Sequence, residues 1–205
     1  MPTFPVQTFT QMIRFGPNQT IYYPQVLNMR NFFVQQAINQ AIISETRGLI
    51  EKQIAEMPTT VVEMLGTYEI KNNQRNVLSL TLSNYTYHDK AAHGMTYLTS
   101  LTFDLDTGQQ YALPQLFKPG SNYIERLSSL IQQQIEERDI DLIHEFTGIH
   151  PDQDFYIADK TLVIYFQLYE ISPYVFGFPM FPISVYDIQD IILENGPLGK
   201  MAANQ

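Results

Sequence analysis

The sequence predicts an α+β fold, with mixed, mainly antiparallel sheets packed against two longer helices. Three observations predict it. One stretch, Asn28 to Met57, repeats its apolar residues at helical spacing, and later stretches alternate apolar with polar residues as half-buried strands do. Helices and strands also follow one another without the regular alternation of a doubly wound sheet.

The first elements are extended segments, Val6 to Arg14 and Thr20 to Tyr23. The turn-forming Gly16-Pro17-Asn18 splits them, which predicts a hairpin. In the helix that follows, Val34, Ile38, Ala41, Ile42, Leu49, Ile50, Ile54 and Met57 form an apolar stripe, with Asn31, Gln35, Asn39, Glu45 and Glu51 on the polar side. Gly48 costs this helix roughly 1 kcal/mol, and Pro58 ends it. Thr60 to Ile70 and Val77 to Tyr87 read as strands joined by a connector from Lys71 to Asn76. In the second of them, Leu78, Leu80 and Leu82 point inward, with Ser79, Thr81 and Ser83 toward water. Tyr97 to Leu105 repeats that alternation and stops at the turn Asp106-Thr107-Gly108.

A second helix begins near Asn122, placed to cap it, with Glu125 three residues on to reach back. Its stripe is Tyr123, Leu127, Leu130, Ile131 and Ile135. After the acidic loop His150 to Asp154, Thr161 to Leu168 is apolar on both parities, the mark of a central strand covered on both faces. Pro173, Pro179 and Pro182 make the next stretch irregular or an edge, before a helix-like Val185 to Leu193. Two small, closely packed subdomains are expected, at residues 1–98 and 99–194, with a flexible tail at 195–205.

Composition narrows the function classes. A chain of 205 residues with 44% hydrophobic content buries enough surface to fold without a disulfide or metal. The net charge of −9, without a run of Lys or Arg, would repel a phosphate backbone, so nucleic acid is excluded as a partner and a cationic one is favoured. The absence of cysteine removes thiol nucleophiles and thiolate metal sites. No stretch is long and apolar enough to span a bilayer, and Met1 to Val6 has no charged segment leading into an apolar one. The expectation is a cytoplasmic chain, or an extracytoplasmic one if an export signal preceded it.

Several consecutive motifs carry a family resemblance: YHDKAAHG from Tyr87 to Gly94, FDLDTG from Phe103 to Gly108, LPQLF from Leu113 to Phe117, FYIADKTLVIYF from Phe155 to Phe166, and YEISPY from Tyr169 to Tyr174 with Gly177 and Pro179. Together they resemble the paired domains of unknown function that form the ectodomain of RsiV-type lysozyme-binding anti-sigma factors. Similar pairs precede the catalytic domain of some peptidoglycan deacetylases of Bacillus-type bacteria. The resemblance runs from about Thr20 to Leu193. It implies two small α+β domains with a binding or sensory role rather than catalysis. The chain departs from the family in showing no sigma-factor-binding segment, no transmembrane helix and no deacetylase domain, so a stand-alone version is expected.

The candidate site residues are His88, His93, Glu170, Tyr174 and Phe178. His88, Asp89 and His93 share one loop and have ligand types for a divalent metal. The plainer reading makes the loop a tight crossing, with His93 bonded to a main-chain carbonyl, and no metal or other cofactor is assigned. Glu170 follows an apolar strand, where burial would call for a partner such as His93 or Arg126. Tyr174 to Phe181 is the most aromatic segment, a protein or glycan surface if exposed and core if folded back. His144-Glu145 lacks the second histidine of a zinc-protease helix, and Asp104-Leu-Asp106 lacks the rest of a calcium loop. Asn18-Gln-Thr20 and Asn84-Tyr-Thr86 match glycosylation acceptors by spacing alone.

The reading that follows is a non-catalytic binding or sensory domain for a cationic wall hydrolase or wall glycan. A spore- or envelope-associated structural protein that assembles through Tyr174 to Phe181 is one alternative. An enzyme using Glu170 and His93 is the other.

Overall fold

In the computed structural model, which describes residues 5–203, the chain forms two units, one ending at Gln110 and the other starting at Tyr111. Each is α+β. The expected break at 98/99 falls inside a strand that pairs along its whole length with its predecessor, so the units divide after it.

Among the described residues, the N-terminal unit is one five-stranded sheet and one helix. Strands β1 (Gln7–Gly16) and β2 (Gln19–Leu27) form the expected hairpin around Pro17 and Asn18. Helix α1 (Phe32–Ala55) follows, then β3 (Val61–Gln74), β4 (Val77–His88) and β5 (Met95–Asp104), in the order β1-β2-β3-β4-β5. All neighbours are antiparallel except β2 and β3, whose parallel pairing of Gln19–Ile21 with Met64–Gly66 needs the crossover that α1 supplies. The β3–β4 turn is tighter than the sequence implies. Lys71 to Gln74 stay in the strand, and Arg75 and Asn76, both at positive φ, make a two-residue turn of the kind that matches strand twist.

The side chain of Asn31 caps α1, accepting from the Phe33 and Val34 amides. Val34, Ile38, Ile42 and Leu49 then bury against Leu78, Leu80 and Leu82 of β4 and Leu101 and Phe103 of β5. Several polar assignments reverse. Asn39 is buried, accepting from the Val26 amide at 2.8 Å and donating to the Val26 carbonyl at 3.0 Å, so it pairs the helix to β2 as a strand residue would. Ser79 and Thr81 are buried as well, with Ser79 Oγ 2.8 Å from Thr102 Oγ1, and β4 is therefore covered on both faces. Ile54, expected in the apolar stripe, is exposed.

The C-terminal unit contains α2 (Tyr123–Glu137) and a three-stranded antiparallel sheet of β6 (Phe155–Ala158), β7 (Thr161–Tyr165) and β8 (Met180–Ser184). β7 is central and buried, as its apolar parity predicts. Leu127, Ile131 and Ile135 form the buried face of α2. Gln134 and Arg138 at its end donate to the carbonyls of Pro182 and Met180 in β8, at 2.9 and 2.8 Å. Asn122 stands at the start of α2 without making the expected side-chain cap. Val185 to Leu193 is a succession of turns rather than a helix. The stretch expected as a loose tail carries α3 (Pro197–Ala202), which buries Leu198 and Met201. Asn204 and Gln205 lie outside the described residues.

Candidate functional site

The loop between β7 and β8 brings Glu170, Tyr174 and Phe178 together on the C-terminal unit. Its base is a cluster of edge-on aromatic rings, with Phe166 and Phe181 buried. The ring of Phe166 meets Phe181 edge-on at 5.7 Å and Phe146 at 6.0 Å, and the Phe166 amide donates to the Pro179 carbonyl at 3.1 Å, closing the loop's neck. Glu170 and Gln167 then lock each other. The Gln167 amide donates to Glu170 Oε2 at 2.6 Å and the Glu170 amide to the Gln167 carbonyl at 3.2 Å, which turns Tyr169 to positive φ. Gln167 Nε2 donates to Asp154 at 2.7 Å. Ile171 and Ser172 are buried, and Pro173 leads into a short 3₁₀ turn, Tyr174–Phe176, closed by Gly177 at positive φ.

The aromatic segment therefore splits by position. Phe181 is core, Phe178 is half-buried, and the 3₁₀ turn stands outward with Tyr174 39% and Val175 85% exposed. Tyr169, 45% exposed, sets its ring 5.5 Å from that of Tyr174. The result is an exposed tyrosine pair on a loop held by core aromatics below and by Glu170 at its side.

Glu170 is half-buried, and its partner is the Gln167 amide rather than a charged side chain. Arg126, offered as a partner from sequence, donates to the Asp187 carbonyl at 2.9 Å. His93 belongs to the N-terminal unit. It is exposed, its Nδ1 2.9 Å from the Gly94 carbonyl, and the ring of Tyr85 covers Gly94 closely enough to fill the place of a Cβ. His88 is buried at the end of β4, with Nε2 2.8 Å from the Gln53 carbonyl and Nδ1 3.1 Å from the Thr59 carbonyl. The two histidines thus face main-chain oxygens, and among the described residues no group of three His, Asp or Glu side chains is arranged to hold a metal. Asp104 is likewise occupied by its own turn, accepting from the amides of Asp106 and Thr107 at 2.9 Å.

Surface depressions lie elsewhere. One of about 380 Å³ is lined by Ile13, Phe15, Arg47, Ile50 and Glu51, and one of about 440 Å³ lies beside Tyr111, Lys118 and Glu194. Neither is lined by a candidate site residue.

Charge divides unequally between the units. Residues 111–205 contain 13 Asp and Glu against 5 Lys and Arg, a formal −8 of the chain's −9, while residues 1–110 contain 8 against 7. Sequence reading missed this partition because it depends on where the units divide. The candidate site residues also omit Tyr169, although it opens the YEISPY motif beside Glu170. The spacing of Tyr169 and Tyr174 around Ser172-Pro173 is the signal that marks them as a pair across one turn.

Comparison with known proteins follows the same division. Residues 18–96, in the N-terminal unit, match the family model described as deacetylase PdaC. Residues 114–186, in the C-terminal unit, match a family described as protein of unknown function, DUF3298. No curated protein sequence matches the chain. Among solved structures, a DUF3298 family member from Bacteroides fragilis is similar, with a TM-score of 0.71 at 13% identity over 97% of this chain and 98% of its own. A DUF3298 family protein from Pseudomonas aeruginosa gives 0.70 at 12% identity, over 98% and 99%. At such identities the likeness is one of fold. Together the matches support a paired-domain family of unknown function, with a PdaC-like first domain and a DUF3298 second domain.

Proposed function

We propose that this chain is a non-catalytic binding protein whose acidic C-terminal unit engages a cationic protein partner, of the lysozyme-like wall-hydrolase type, through the tyrosine loop. One observation carries the reading: an exposed and internally braced tyrosine pair stands on the unit that holds nearly all of the chain's net negative charge. Tyrosines held in position lose little entropy on docking and dominate interface energies. A field of one sign raises the encounter rate of a partner of the other. The resemblance to RsiV-type ectodomains supports the same direction. On this reading the chain meets its partner on the extracytoplasmic side.

Calorimetric titration of lysozyme into the full chain, at low and moderate salt, tests it. Expected are binding that weakens as salt screens the attraction, loss of binding with succinylated lysozyme, and a roughly tenfold weaker complex for Tyr174→Ala. Absence of binding at both salt concentrations overturns the reading, as does a complex indifferent to Tyr174→Ala. Binding of muropeptides without lysozyme would overturn it in favour of a glycan.

A further inference from the structure

The N-terminal hairpin presents a second surface, of different chemistry. No residue of β1 is buried. Phe9 is 55%, Met12 53% and Phe15 59% exposed, and since Met12 lies on the opposite parity from the two phenylalanines, both faces of the strand are open. β1 is also the outermost strand, and among the described residues no strand pairs with its free edge. Edge strands are ordinarily guarded by shortness, lysine, proline or a central bulge. β1 runs for ten residues with Arg14 as its one charge and no proline, and its irregularity, between Arg14 and Gly16, lies at the turn end.

We infer that this edge pairs with the same edge of a second copy of the chain, antiparallel, about a two-fold axis at Gln11. The exposed main chain calls for a strand, and charge selects which strand. Two copies of a chain of net charge −9 repel each other chiefly through residues 111–205, whereas residues 7–27 contain Arg14 and no Asp or Glu. The hairpin brings no carboxylate of its own to such a contact. The pairing is self-complementary: Phe9 faces Ile13, Thr10 faces Met12, and Arg14 faces Thr8, so apolar side chains meet and no like charges do. A charged peptide would find one cation to select it.

Sedimentation velocity of the full chain across a wide concentration range, with amide exchange at its two extremes, tests the inference. Expected are a reversible monomer–dimer equilibrium and β1 amides that slow as the dimer forms. Thr10→Glu with Met12→Glu sets carboxylates opposite one another and is expected to raise the dimer Kd roughly tenfold or more. Thr10→Lys with Met12→Glu sets opposite charges across the axis and is expected to restore the dimer. The bond of 2.7 Å between the Thr10 and Tyr68 hydroxyls is lost in both pairs, so their difference isolates the edge contact. A chain monomeric throughout, or two double variants that behave alike, would overturn the inference. So would exchange protection that appears at the tyrosine loop instead of β1, a readout that needs no variant to fold.

Discussion

Ile21 occupies the space that a side chain on Gly66 would need: a Cβ added there would collide with Ile21 Cγ2. The two residues are paired in register where β2 and β3 run parallel, and Ile21 packs beside Ile50 and Met64. This junction ties the hairpin to the rest of the sheet. Gly66→Ala is expected to destabilise the N-terminal unit by about 1–3 kcal/mol through overpacking. Gly48 supplies the contrast, since a Cβ there meets nothing within 4 Å. Gly48→Ala in the middle of α1 is expected to stabilise by about 0.5–1 kcal/mol. Urea denaturation of the two variants checks both signs.

Asn39 and Ser172 are buried polar side chains with opposite expectations. Asn39→Leu removes two hydrogen bonds and strands the amide and carbonyl of Val26 in the core, which is expected to cost about 2–4 kcal/mol. The Ser172 hydroxyl is buried with no hydrogen-bond partner among the described residues. Ser172→Ala is expected to leave stability unchanged or raised by about 1 kcal/mol, because it removes an unsatisfied group. Equal losses in the two variants would contradict the assignment.

His88 separates a structural histidine from a metal ligand. Its ring bridges the end of α1, at the Gln53 carbonyl, to the start of the β3 approach, at the Thr59 carbonyl. His88→Leu is expected to lower stability by about 1–3 kcal/mol by removing the hydrogen bond that the ring's N–H donates to one of these buried carbonyls, while zinc and chelator leave the melting temperature unchanged. A Tm raised by zinc and lost in the variant would restore the metal reading.

Tyr97 predicts a loss of stability in alkali. Burial, helped by its hydrogen bond to Glu56 at 2.5 Å and by that carboxylate's charge, pushes its pKa from 10.0 up to about 12. The folded state therefore holds the proton that the unfolded state releases. This contribution is fully present below pH 10 and is lost as pH rises toward about 12. Denaturant midpoints measured through that window are expected to fall more steeply for the natural chain than for Tyr97→Phe. Parallel slopes would show that Tyr97 does not contribute.

Much of the fold was legible because its signals are local. The hairpin around Pro17 and Asn18, the periodicity from Val34 to Ile50 and the two-sided apolar run of β7 each follow from neighbours in the chain, since a strand or helix must bury one face wherever it packs. The same rule misplaced Asn39, Ser79 and Thr81. Period assigns a face but does not say whether that face is covered, and a polar group can be buried when its hydrogen bonds are met. Val185 to Leu193 shows the converse, apolar spacing that suits a helix in residues whose packing is satisfied by turns.

The sequence by itself determined the α+β class, the acidity, the absence of thiol chemistry and the aromatic richness of residues 174–181, because each is a property of composition or of short-range pattern. Only the tertiary structure decided which aromatics are core and which are surface. Phe181 and Tyr174 are both aromatic residues of one segment, and their fates diverge because one lies in β8 against Phe166 and the other on a 3₁₀ turn. It likewise decided that Glu170 answers to Gln167 within its own loop, and that nearly all the net charge falls on one unit. Those are distances and boundaries, set by how the chain folds back on itself.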